Sequence, residues 1–302
     1  MKQCAIIGCH GQDGKLLTEQ LQAEGQNVIG VGRNALDITN RTEVAAFLSK
    51  LKPAELYYLA AFHHSSEDKV KIEEGELFDR SFEVHLHGLI SFLEGIKQCL
   101  PECRLLYTAS SHVFGEPVRS PQNENTPLRP RNVYAISKAA GMEACRYYRQ
   151  NHSLFATNAI LYNHESHHRK SQFVSQKIVR GALSIKRGNQ DKLTLGNLDA
   201  SIDWGYAPDY VEAMRRCIRL KHSDDFIVAT GEIHTVREFV EIVFEEVGLD
   251  WKKYVEVNPC LLAKPHFPLK GDATKLRLAT GWQPSINFPT MVRSLVRRGS
   301  WL

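Results

Sequence analysis

The stretch Cys4-Ala5-Ile6-Ile7-Gly8-Cys9-His10-Gly11-Gln12-Asp13-Gly14 decides the fold. Its four leading apolar residues read as a buried strand, glycines follow at Gly8, Gly11 and Gly14, and the residues from Gly14 to Glu24 carry apolar positions at helical spacing. A strand that turns through glycines into a helix is the setting of a dinucleotide cradle, where backbone approaches a pyrophosphate at a positive helix amino end. Glycines also make ordinary tight turns, so this motif needs a second signal.

That signal is Asn132-Val133-Tyr134-Ala135-Ile136-Ser137-Lys138, in which Tyr134 and Lys138 stand one helical turn apart. A phenol with a pKa near 10 is a poor base at neutral pH. A neighbouring ammonium is expected to lower it and to hold a nicotinamide ribose, so the pair points to hydride transfer.

Outward from these motifs, apolar runs at Cys4–Ile7, Val28–Val31, Leu56–Leu59, Leu105–Thr108, Asn158–Tyr162 and Phe226–Ala229 read as buried strands. Helical periodicity over Gly14–Glu24, Arg41–Leu51, Phe82–Cys99, Tyr134–Asn151 and Pro208–Leu220 separates them, with Thr39 and Asn40 as candidate caps for the second helix. The alternation predicts an α/β fold: a Rossmann-type, doubly wound parallel sheet with a smaller α/β substrate lobe. Residues 1–162 plus 203–230 are expected to form the dinucleotide-binding domain, and 163–202 plus 231–302 the smaller substrate-binding lobe. The polar stretches Ser65–Glu76 and His167–Gln172 are the expected mobile segments.

Composition narrows the partners. Across 302 residues, 43% apolar and 24% charged, a net charge of +4 is scattered apart from Arg293, Arg297 and Arg298, so nucleic acid is not implied. Seven irregularly spaced cysteines give no disulfide framework and no zinc spacing, and the paired histidines His63-His64 and His167-His168 lack a completing ligand set, so no metal is expected. The amino terminus becomes glycine-rich at once and no apolar run approaches membrane length, so a cytoplasmic protein without a membrane partner is expected.

At the end of the second strand an acidic residue usually holds the adenosine 2′-hydroxyl; Arg33 stands there instead, which favours NADP. Asp37 and Ile38 are expected to flank adenine, with helix capping as the rival role for Asp37, and Leu59-Ala60-Ala61 offers small residues where backbone meets cofactor.

These residues resemble the extended short-chain dehydrogenase/reductases, and within them the GDP-mannose 4,6-dehydratases. The likeness runs through Gly11-Gln12-Asp13-Gly14, Tyr134-Ala135-x-x-Lys138, Asn158–Ser166, Leu195–Ala200, Asp203-Trp204-Gly205, Asp209–Met214 and Ala229–Glu232. It implies a 4,6-dehydration of a nucleotide hexose, most simply a GDP-hexose: C4 oxidation, C5/C6 elimination and hydride return to C6. It further implies that Leu161, His164 and Arg169 contact the cofactor, and that Ser110, Ser111, Asn163, Lys177, Asn197 and Lys264 contact the substrate.

The chain also departs from the family. In Thr108-Ala109-Ser110-Ser111-His112, Ser110 keeps the hydroxyl expected at sugar O4, but His112 stands where the family has a catalytic glutamate. Ser110, Tyr134 and Lys138 suffice for C4 oxidation, whereas elimination needs a proton-shuttling group near C5, a part that imidazole chemistry allows His112. Ile202 replaces a family arginine, and the connection Arg33–Asp37 lacks a family insertion, which argues for a homodimer, with the helices near Phe82–Cys99 and Tyr134–Asn151 paired across a two-fold axis by analogy with the superfamily. Loss of the glutamate keeps two alternatives open: an NADPH-dependent 4-keto reductase or epimerase, and a non-catalytic NADP- and nucleotide-binding protein.

Overall fold

The computed structural model describes residues 2–64, 71–258 and 268–299. The chain opens with β1 (Gln3–Ile7), α1 (Gln12–Ala23), β2 (Asn27–Val31), α2 (Arg41–Leu51) and β3 (Glu55–Tyr58). A continuous helical run then comprises α3 (Glu74–Phe82), a π turn over Glu83–His87 and α4 (Gly88–Cys99). It is followed by β4 (Arg104–Ser110), a 3₁₀ turn over Ser111–Phe114, α5 (Val133–His152) and β5 (Ala156–Leu161). Next come β6 (Asn163–Glu165), α6 (Val174–Lys186), β7 (Leu193–Leu195), β8 (Ser201–Ile202), β9 (Trp204–Tyr206), α7 (Ala207–Ile218) and β10 (Asp225–Val228). The remainder holds β11 (His234–Thr235), α8 (Val236–Val247), α9 (Trp251–Tyr254), β12 (Val255–Val257), α10 (Thr274–Thr280) and α11 (Phe288–Gly299).

Among the described residues, six parallel strands form the main sheet in the order β10-β5-β4-β3-β1-β2. They are the six apolar runs read from the sequence, with ends moved by one or two residues. β1 pairs with β2 on one flank and β3 on the other, so the connections diverge and leave a crevice at the carboxyl ends of the strands. Asn40 caps α2 by accepting hydrogen bonds from the Thr42 and Glu43 amides.

The expected helix at Phe82–Cys99 begins earlier, at Glu74, and is interrupted by the π turn, which carries the fully buried His85. A π turn inserts a residue into the 3.6-residue repeat, a displacement that hydrophobic spacing does not register. Residues 65–70 of the expected mobile stretch lie outside the described residues.

Apolar side chains gather into two cores. The larger surrounds the main sheet; the smaller joins α6, α8 and α11 around Trp204 and Phe239. Ala273, Leu276 and Trp282 join the larger core, so the stretch 231–302 feeds both. Trp282 is completely buried and its indole Nε1 donates to the Asp209 carbonyl at 2.8 Å. Trp282→Ala should cost about 3–5 kcal/mol of unfolding free energy, read by denaturant melts, because the core cannot collapse into the lost volume.

Candidate active site

The crevice holds a cleft of about 1030 Å³. Gly8, Gly11, Gln12, Asp13, Gly14, Arg33, Asp37, Ile38, Leu59, Ala60, Ala61, Leu161, His164 and Arg169 line it, together with Ser110, Ser111, His112, Tyr134, Lys138 and Asn163. Lys177, in the first turn of α6, and Asn197, whose Oδ1 accepts from the Asp199 amide after β7, are not part of this lining. Lys264 lies outside the described residues.

The glycine cradle is set by close backbone approach. Gly8 has φ +94°, and a Cβ there would stand 2.8 Å from the Ala60 amide nitrogen. A Cβ on Gly14 would meet the Gly8 carbonyl at 2.6 Å. Gly11 caps α1 without a side-chain hydrogen bond, which leaves the helix amino end to an anion in the cleft. This donor set fits a dinucleotide pyrophosphate.

Gln12 and Asp13 reach across the cleft floor. Gln12 Nε2 donates to the His164 carbonyl at 3.1 Å, and Ser166 Oγ donates to Gln12 Oε1 at 2.9 Å. His164 Nε2 lies 3.0 Å from Asp13 Oδ1, while Nδ1 contacts the Tyr162 carbonyl at 2.7 Å. Burial disfavours both charges, yet each partner outweighs it: the Asp13 carboxyl sits below its usual range and the His164 imidazole above its own. An acidic side chain beside a phosphate-binding helix end is thereby neutralised.

At the outer end, Arg33 is exposed on the cleft rim after β2. The Asp37 carboxylate accepts from the Thr39 amide at 2.9 Å and the Thr39 hydroxyl at 2.7 Å, bonds that hold its pKa below the ordinary value. It thus closes a turn ahead of α2.

At the inner end, Asn132 Oδ1 accepts from the Ala135 amide and starts α5, so that Tyr134 faces the cleft and Lys138 lies one turn below it. The expected lysine effect on the phenol is not what the site displays. Burial pushes Tyr134 up to about 12; Arg169 and a hydrogen bond with Ser110 oppose that shift, and Asp13 adds to it. Lys138 is nearly inaccessible, its Nζ donates to the Thr108 carbonyl at 2.8 Å, and burial brings it down to about 7. At the phenol, burial is the largest influence, ahead of Arg169, Asp13 and Ser110.

Histidines surround Tyr134. The ring centroids of His63 and His85 each lie 5.3 Å from that of Tyr134, and His112 lies at 6.3 Å, all edge-on. His85 Nε2 accepts from the Phe62 amide at 2.9 Å, which places its proton on Nδ1, 2.7 Å from Ser137 Oγ; that hydroxyl donates to the Tyr134 carbonyl at 3.0 Å. Burial, with Lys138 and His63 adding, holds His85 well below its usual pKa and keeps it neutral. Arg169 stacks 3.7 Å over Phe173, whose ring is 5.3 Å from His63.

Sequence reading passed over His10, His63, Glu83, Thr108 and Phe173 as parts of this wall. A Cβ on Gly32 would strike the His10 ring, so the glycines flanking Val31 were a signal of side chains crossing the strand end. Among the described residues, no three His, Cys, Asp or Glu side chains converge as metal ligands, and no helix is long and apolar enough to cross a membrane.

The raised His164 pKa means that the folded protein holds this proton more tightly than the unfolded chain. The resulting stability is complete below about pH 6.5 and is lost as pH rises through the raised value. Asp13 contributes in the opposite sense, completely above about pH 4 and decreasingly in acid. Asp13→Asn should therefore lower thermal stability most between about pH 4 and pH 6.5, where both groups of the pair are charged, and return the His164 titration, followed by imidazole NMR, to lower pH.

A family model described as GDP-mannose 4,6 dehydratase matches residues 34–295. The protein named GDP-mannose 4,6 dehydratase 2 of Arabidopsis thaliana is 36% identical, with 98% of this chain and 86% of the plant protein covered. The human GDP-mannose 4,6 dehydratase is 33% identical over 96% of this chain and 89% of its own length. Among solved structures, RMD from Pseudomonas aeruginosa complexed with NADPH superposes with a TM-score of 0.86 over 100% of both chains at 22% identity, a likeness of fold.

Proposed function

The chain belongs to the GDP-mannose 4,6-dehydratase family, and from that premise we propose that it converts GDP-mannose, or a closely related GDP-hexose, to the 4-keto-6-deoxy sugar with NADP as a recycled cofactor. The observation that carries this reading is the meeting of Tyr134, Lys138, Ser110 and His112 with the glycine cradle on one cleft. NADP supplies the hydride acceptor at C4 and the hydride donor at C6.

The side chains divide the remaining work. Ser110 and Tyr134 hold the C4 hydroxyl, Tyr134 takes its proton as the phenolate, and Lys138 stands one helical turn away with its Nζ donating to the Thr108 carbonyl, placed to hold the nicotinamide ribose. His112 removes the C5 proton in place of the family's carboxylate. Gly8, Gly11 and Gly14 admit the pyrophosphate and Arg33 receives the 2′-phosphate, while Ile38, Leu59, Ala60, Ala61 and Leu161 wall the adenine and nicotinamide halves. Gln12, Asp13, His164 and Arg169 fix the cleft floor; Ser111 and Asn163 face the sugar diphosphate, and Lys177, Asn197 and Lys264 act farther along the nucleotide.

A reductase or epimerase of a 4-keto nucleotide sugar is the second reading, favoured by His112 alone. Parallel incubations with GDP-mannose and with a 4-keto nucleotide sugar decide between them: dehydration converts GDP-mannose to a 4-keto-6-deoxy product with no net NADPH consumed, whereas reduction consumes one NADPH per 4-keto sugar supplied. Tyr134→Phe should lower turnover by about 10²–10⁴-fold in either case, and unchanged turnover would point to a non-catalytic protein. Arg33→Ala should weaken NADP binding by roughly 10-fold or more while sparing NAD, measured by titration calorimetry, as expected for a lost charge-assisted hydrogen bond.

The proposal extends to a cytoplasmic homodimer. α5 exposes Tyr147 to 55%, and the pairing of α5 with the α3–α4 run about a two-fold axis is proposed by analogy with the superfamily. Sedimentation equilibrium should return twice the chain mass.

A further inference from the structure

Elimination across C5 and C6 needs two proton positions: one to receive the C5 proton and one to supply the departing C6 oxygen. A single carboxylate with two oxygens can serve both sites, but an imidazole presents one nitrogen at a time to one side of a sugar. His112 alone therefore leaves half of this chemistry without a group.

Three imidazoles stand edge-on to Tyr134. His85 is excluded, since its Nε2 accepts from the Phe62 amide, its Nδ1 is bound to Ser137, and the ring is fully buried. His63 and His112 are exposed residues that line the cleft, and they come from different strand ends, His63 after β3 and His112 after β4. Ser110 Oγ accepts from the His112 amide at 3.3 Å, which ties His112 to the O4 side of the site. His63 sits between Tyr134 and Phe173, centroids 5.3 Å from each, on the side facing the loop that carries Arg169.

We infer that His63 is the general acid for loss of the C6 oxygen, paired with His112 as the base at C5; the assignment rests on the dehydration reading. With C4 oxidised to a ketone, His112 takes the C5 proton. The C5–H electron pair is held as the enolate of the C4 ketone, and it becomes the C5–C6 double bond when the C6–O bond breaks. Protonated His63 gives its proton to that oxygen, which leaves as water. Hydride then returns to C6, His112 returns a proton to C5, and His63 is recharged by solvent, balancing the proton released from O4.

The test uses NADP-loaded full-length protein and GDP-mannose in D₂O, with His63→Gln and His63→Asn against wild type and His112→Gln. For both His63 variants, absorbance of the reduced cofactor should rise and persist, recovered GDP-mannose should carry deuterium at C5, and 4-keto-6-deoxy product should fall about 10²–10⁴-fold. His112→Gln should instead lose the C5 exchange. Product formation within about threefold of wild type in either folded His63 variant overturns the assignment, a change below one order on the general-acid scale. So does loss of C4 oxidation together with elimination in both, the mark of a structural role. A wild-type protein that leaves GDP-mannose unchanged overturns the dehydration reading itself, and the His63 assignment falls with it.

Discussion

The contact between Asp13 and His164 holds the site together. Two side chains 151 positions apart, His164 buried and Asp13 partly so, place the first helical turn of the glycine loop against the strand that leaves the main sheet. Ions are costly to bury, and this pair persists because each charge is matched and each partner has a further bond: Gln12 to Asp13, the Tyr162 carbonyl to His164. Gln12 and Ser166 repeat the link alongside. The cleft floor is thus made from the two halves of the chain at once, and without it the glycine cradle and the Asn163–Arg169 segment have no fixed separation.

Burial also sets the chemistry above that floor. Excluding water around Tyr134 and Lys138 raises one and lowers the other, to about 12 and about 7, so two groups that titrate close together in water are driven apart, each toward its neutral form. Both groups are thereby held neutral more readily than in water, and passing a proton from this phenol to this amine costs more than it does in solution. Arg169 contributes from across the cleft, and its stacking on Phe173 fixes where that charge lies. The same water-poor environment keeps His85 neutral and makes it a tether between the Phe62 amide and α5 rather than a proton carrier.

His112, which stands where the resemblance implies a glutamate, shares the cleft with a second imidazole, His63. His63 and His112 arrive from adjacent strand ends because β3 and β4 pair in register, Tyr58 beside Tyr107, which brings the residues following each strand to one edge of the crevice. A carboxylate holds two equivalent oxygens on one carbon, whereas two imidazoles must be brought by two loops; the parallel sheet does this without added chain.

Much of this was written in the linear order of residues. Apolar runs bounded by glycine and polar turns, the Gly8-Gly11-Gly14 spacing and the Tyr134–Lys138 turn depend on neighbours within a strand or a helical turn, so local periodicity carries them. Of the segment Asn163-His164-Glu165-Ser166, Asn163 and His164 line the cleft. What local order cannot hold is distance between remote residues and exclusion of water. The partner of Asp13, the π turn that buries His85, the gathering of His63 and His112 at one phenol, and the direction of the Tyr134 shift were decided only when the sheet and its covering helices closed, because desolvation and contact are properties of the packed chain.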